Sequence, residues 1–171
     1  MTDRSIKDWL LQVEDEDPML HRQLFDVPIR LFKSNTAFKT LIKEIALHMY
    51  DVLGKEYKDY KNAKGISGAN VGIPYNIVIV KDGDGYLTML NPAMTPVGDE
   101  TKIVSSNCGS IVLRKNVKVR RHEKIAVSWY DLSGEFHIDE FEGKLAYTLQ
   151  HEIDHTLGIL IIDKEADEQT T

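Results

Sequence analysis

The apolar positions along the chain change period several times, and each change marks an element. Between Ser34 and Leu53, the residues Phe38, Leu41, Ile42, Ile45, Met49 and Leu53 recur at spacings of three and four. That spacing predicts an amphipathic helix. Ser34 or Asn35 would cap its start, and Gly54 would end it. Residues 1–33 show no sustained period and are broken by Pro18 and Pro28, so only irregular or briefly helical structure is expected there. A polar connection at 55–62 leads to a stretch rich in small residues at 63–75. "NIVIV" at 76–80 reads as a buried strand. "KDGDG" at 81–85 is a turn, and "YLTMLNP" returns as a second strand. Residues 102–113 are expected to be extended, and 124–141 form a hairpin turning at Leu132–Glu135. A last helix starts near Glu142, with Leu145, Leu149, Ile153 and Leu157 spaced by four, and Gly158 ends it. A short strand at 159–163 and an acidic tail follow. The expected fold class is α+β: mostly antiparallel strands packed around a central C-terminal helix, plus an N-terminal helix, in one domain spanning 1–171.

Composition narrows the function classes. The chain has 171 residues, a hydrophobic fraction of 42% and a charged fraction of 28%, ordinary for a globular protein. Its formal net charge of -6 argues against a nucleic-acid partner. The local basic stretch at 113–121 alternates as a strand with solvated charges would. Cys108 is the one cysteine, which excludes an intrachain disulfide framework. No apolar run approaches the roughly 18 residues needed to span a bilayer. The acidic N-terminus does not resemble a signal or transit peptide, so a cytoplasmic location is expected.

The candidate chemistry lies in the last helix. "QHEIDH" at 150–155 sets His151 and His155 one turn apart on one helix face, from which two imidazoles can reach a single ion. Glu152 would sit beside that ion without ligating it, where a general base is needed. The competing reading is a solvated helix face. A catalytic metal site needs a third protein ligand. Downstream, Asp163, Glu165, Asp167 and Glu168 are available; upstream, Cys108 is. A lone cysteine is more often a small buried hydrophobe. Its setting, "SNCGS", is polar and contains glycine, which suggests an accessible position and favours Cys108 as the ligand. His21, His48, His122 and His137 match no motif and read as solvated or core residues.

With these motifs in their order, the chain resembles the peptide deformylase family over roughly residues 15–163. The family's Q-H-E-x-D-H is met in full by Gln150 to His155. Its E-G-C-L-S resembles Ser106 to Ser110, and its G-x-G-L-A-A-x-Q resembles Ala63 to Asn70. Asn91-Pro92 and the "DLSGE" hairpin agree as well. The departures are Asn70 for glutamine, Gly109 for leucine, Ser106 for glutamate and Ala63 for glycine. Eight residues follow Asp163, so the longer C-terminal helix that many bacterial members use for ribosome docking is expected to be absent. In this it is similar to divergent or virus-encoded members.

The resemblance implies removal of the formyl group from the N-terminal formyl-methionine of nascent polypeptides, with release of formate. It implies one divalent ion on Cys108, His151 and His155, Fe2+ in the cell, with Zn2+, Ni2+ or Co2+ tolerated. Glu152 would be the acid/base, and the Gly109 N–H and Asn70 amide would stabilise the oxyanion. Gly65, Ile66 and Tyr147, with the aliphatic part of Lys64, would contact substrate; Ile66 and Tyr147 read equally well as core. Asp154 would pair with a base such as Arg121 and orient the helix. A monomer acting on nascent chains near the ribosome exit is expected, with no nucleic acid or membrane partner. Two rivals remain open: an impaired relative that keeps its metal, and an H-E-x-x-H metallopeptidase.

Overall fold

The computed structural model describes residues 17–54, 63–111 and 116–166. The expectations for 1–16, the connection at 55–62 and the acidic tail from 167 lie outside the described residues. The helix expected over Ser34 to Leu53 is present as one element, and a short helix precedes it. A short α1 spans Ile29–Ser34, and α2 spans Thr36–Gly54. Ser34 closes the first, its hydroxyl donating to the Arg30 carbonyl. Asn35 starts the second, its Oδ1 accepting from the Phe38 N–H at 2.9 Å. Leu41 stands 46% exposed, outside the core stripe formed by Ile42, Ala46, Met49, Val52 and Leu53.

Five strands form one sheet: β1 (Gly65–Ser67), β2 (Ile77–Asp82), β3 (Gly85–Pro96), β6 (Lys124–Tyr130) and β7 (Phe136–Glu142). Their order is β1-β2-β3-β6-β7, with every pair antiparallel. A two-stranded sheet pairs β4 (Thr101–Ser106) with β5 (Val117–His122). The alternation expected of the basic stretch is present: Val117, Val119 and Arg121 are buried, while Lys118 and Arg120 are exposed.

The continuous apolar run of β2 has a direct cause. Ile77 and Ile79 pack with Phe32, Ile42, Ala46 and Met49 in one cluster. Val78 and Val80 pack in another with Ala146, Leu149 and Ile153 of α3 (Gly143–Thr156). Successive side chains leave opposite faces of a strand, so at β2 the sheet lies between α2 and α3 and both faces of that strand are dry. The α+β expectation therefore holds, with the motif-bearing helix between the main sheet and β5.

The helix α3 stops as the glycine predicts. Gly158 has φ +74, its N–H bonds to the His155 carbonyl, and the Ile159 N–H bonds to the Asp154 carbonyl. These two bonds make a Schellman motif. Leu157 is 45% exposed and does not extend the apolar stripe. The strand expected at 159–163 is instead a 3-10 turn, Ile161–Lys164. The Asp163 carboxylate accepts the Leu160 N–H at 2.7 Å, which closes the turn and competes with extended pairing. Leu160 and Ile161 then pack beneath β5 with Val117, Val119 and Leu20.

Candidate metal and active site

Three side chains from two elements converge. His151 and His155 project from one face of α3, and Cys108 comes from the loop after β4. The Cys108 Sγ lies 3.2 Å from His155 Nε2, which lies 3.3 Å from His151 Nε2. All three donor atoms fall within 4.8 Å of one another. Tetrahedral coordination with bonds of about 2.0–2.3 Å separates neighbouring donors by roughly 3.3–3.6 Å, and the two spacings at His155 suit a shared ion.

The protonation chemistry agrees. Burial pushes the Cys108 thiol up to about 12, with hydrogen bonds from Ser110 opposing it. Burial also pushes His155 down to about 4 and His151 well below the ordinary imidazole range. A pocket of two neutral imidazoles and a thiol that becomes anionic beside a cation is a borderline N,N,S donor set, suited to Fe2+, Co2+, Ni2+ or Zn2+. The expectation that Cys108 is accessible is corrected: it is 7% exposed, packed with Leu20, Ile111, Val117 and Leu160. Apart from Ile111, the apolar wall comes from Leu20, β5 and the C-terminal segment, which the local sequence around Cys108 does not reveal.

Glu152 is buried on the same helix, and burial pushes its carboxyl up to about 8, with Arg121 pulling the other way. Gly65 makes room for it. A Cβ at Gly65 would lie 2.6 Å from Glu152 Cγ and 2.8 Å from Oε1. Any side chain there would displace the carboxylate, so Gly65 acts on Glu152 in addition to any contact with substrate.

The outer ring is held from three directions. Asp154 takes the buried Arg121 guanidinium on Oδ2 and the Lys164 ammonium on Oδ1, the latter at 2.6 Å. Gln150 clamps onto the β5 backbone: Oε1 accepts from the His122 N–H at 2.9 Å, and Nε2 donates to the His122 carbonyl at 2.8 Å. Ser106 Oγ approaches His151 Nδ1 at 3.5 Å. His155 Nδ1 is buried without a partner among the described residues.

The remaining sequence-predicted residues divide. Asn70 is buried beside the Cys108 loop and bonds Ser110 through Nδ2. Gly109 follows the cysteine in a half-buried turn. Ile66 is corrected from pocket to core: adjacent to Gly65, it points to the opposite strand face and packs with Val27, Phe32 and Ile42. Tyr147 lies one turn before His151 on α3, but its hydroxyl donates to Glu123 at 2.5 Å, at the turn between β5 and β6. Lys64 is exposed. Ser110, Ser67, Gln150 and Lys164 were missed as supporting residues. The first three sit inside quoted motifs as polar residues in small-residue or helical contexts. Lys164 carries no sequence signal.

A profile of the polypeptide deformylase family matches residues 9–171. The peptide deformylase of Thermotoga neapolitana is 29% identical over 148 residues, covering 86% of this chain and 82% of the relative. That of Zymomonas mobilis is 33% identical over 108 residues, covering 58% of this chain and 60% of the relative. The crystal structure of the Thermotoga maritima peptide deformylase aligns with a TM-score of 0.77 at 25% identity, covering 92% of this chain and 97% of that one. The match runs through the helix that carries the two histidines and the loop that carries the cysteine, and on it the chain belongs to the polypeptide deformylase family.

Proposed function

We infer that the chain is a metal-dependent hydrolase that removes the formyl group from the N-terminal formyl-methionine of nascent polypeptides and releases formate. The observation that carries this reading is the convergence of Cys108, His151 and His155 beside buried Glu152, in a chain of this family. A divalent ion on those three donors supplies Lewis acidity and acidifies water. Cys108, His151 and His155 hold it, and Fe2+ is the ion in the cell, with Ni2+, Co2+ and Zn2+ as substitutes. Glu152 takes a proton from the attacking water and returns it to the leaving amine. Its raised carboxyl value supports a group that carries a proton near neutral pH. The Gly109 N–H and the second amide hydrogen of Asn70 stabilise charge on the formyl oxygen. Gly65 leaves the space Glu152 occupies, and the Asp154–Arg121 pair holds the helix in register. Gly65 also contacts substrate, and Tyr147 borders the methionine pocket, one helical turn from His151.

The chain works as one domain and a monomer, in the cytoplasm, on nascent chains near the ribosome exit. Among the described residues no helix is long and apolar enough to cross a membrane.

The test is formate release from a formyl-Met-Ala-Ser peptide by protein loaded anaerobically with Fe2+. Cys108→Ala is expected to lose both metal and formate release. Cleavage of internal peptide bonds that survives Cys108→Ala would overturn the reading in favour of a peptidase.

A further inference from the structure

Asp154 fastens the segment after α3 to that helix. Its carbonyl accepts the Leu157 and Ile159 N–H groups, each at 2.9 Å. Its carboxylate takes Arg121 on Oδ2 and Lys164 on Oδ1, the latter at 2.6 Å. Beyond Lys164, Glu165 bridges Val119, and the Ala166 N–H donates to the Lys118 carbonyl at 2.8 Å. Residues 159–166 therefore form a strap tied to α3 at one end and to β5 at the other. Between those ties Leu160 and Ile161, 1% and 2% exposed, pack in the cluster that buries Cys108.

Arg121 already matches the single charge of Asp154, so neutralising that carboxylate does not need Lys164. The Arg121 side chain is 2% exposed, and that of Lys164 is 36% exposed. What Lys164 adds is a joint between the turn Ile161–Lys164 and the helix that carries His151 and His155. We propose that Lys164 is a positioning residue for the metal-binding sulfur: its ion pair with Asp154 holds the strap closed, and the closed strap keeps Leu160 against Cys108. An apolar wall there keeps water from the sulfur and from the bond it makes to the ion. The proposal rests on the reading that Cys108 ligates the ion.

The experiment reads two rates. In metal-free protein it follows alkylation of Cys108 by iodoacetamide. In Co2+-loaded protein it follows the decay of the sulfur-to-cobalt charge-transfer absorption after a chelator is added. Lys164→Met keeps the length of the side chain and removes its charge. It should speed both processes by roughly 2–10-fold, the worth of a half-exposed ion pair that closes a local opening. Lys164→Arg should restore the parent rates. Leu160→Ala should speed both as well, and adding Lys164→Met to it should change little further, because residues acting along one route are not additive. Urea unfolding of the same proteins separates these effects from a general loss of stability. Parent-like rates in Lys164→Met, whatever its urea midpoint, would overturn the proposal, and so would a double variant in which the two effects multiply in full. Lys164→Gln decides if Lys164→Met does not fold. A parent protein with no charge-transfer absorption would instead overturn ligation by Cys108, and the role of Lys164 falls with it.

Discussion

Helices α2 and α3 have the same kind of pattern in sequence and opposite fates for their polar residues. Both place apolar residues at spacings of three and four and bury that stripe on the main sheet, on its two faces. On α2 the other side is wet: Thr40, Lys43, Glu44, Leu47 and Asp51 are exposed. On α3 the other side is covered by β5 and the C-terminal turn, and Gln150, Glu152, Asp154, His155 and Thr156 are all buried. Periodicity reports which side of a helix meets the first neighbour. It is silent on whether a second neighbour covers the rest. Burying four ionisable or amide side chains on one helix is unfavourable unless each finds a partner. Here the partners are Arg121, Lys164, the β5 backbone and, when bound, an ion.

The widest separation between the helices should appear in activity. Glu152→Gln is expected to lower formate release by about 10²–10⁴-fold, the usual worth of a general acid/base. Glu44→Gln on α2 should leave it unchanged. Equal losses in steady-state assays of the two would break the comparison.

The next effect is on stability. Removing the Asp154 carboxylate strands Arg121 in a dry site, and breaking a buried pair in this way costs about 3–5 kcal/mol. Asp154→Ala should shift urea unfolding by that order, while Asp51→Ala should stay within about 0.5 kcal/mol.

The apolar residues sharpen the contrast within one residue type. Leu149 is fully buried and Leu47 is 63% exposed. Leu149→Ala should destabilise by about 2–5 kcal/mol, and Leu47→Ala by far less, in the same unfolding assay.

The smallest effect concerns protons. At pH 7 a thiol pushed up to about 12 and a carboxyl pushed up to about 8 are both protonated, while the two imidazoles are neutral. Ligation needs the thiolate. Binding of Zn2+ should therefore expel about one to two protons, measured by calorimetry in buffers of different ionisation enthalpy. Glu152→Gln should reduce the number toward one. The sign follows: metal affinity falls as pH falls. Affinity that is flat between pH 6 and 8 would contradict this account of the α3 face.

Much of this was legible in sequence because the signals were local. The Gly158 stop, the α2 stripe and the metal-ligand spacing of His151 and His155 each follow from one helix. The glycine-rich motif was legible as a motif but not in its geometry: that Gly65 clears space for Glu152 depends on β1 lying against α3. Ile66 was ambiguous because a three-residue strand gives no periodicity to say which face is which. The 3-10 turn at Ile161–Lys164 was missed because "ILIID" has strand composition, and only the Asp163 side chain, bonding Leu160, bends it. Lys164 on Asp154 and Leu160 beneath Cys108 join residues from separate elements. No pattern within either element announces them.

The most direct measurement of the central claim is formate release from formyl-Met-Ala-Ser by Ni2+-loaded parent and Glu152→Gln, with metal content determined in the same samples. The account predicts about one ion per chain in both and formate from the parent alone. A folded, metal-bearing parent that releases no formate, or a Glu152→Gln variant as fast as the parent, would contradict it.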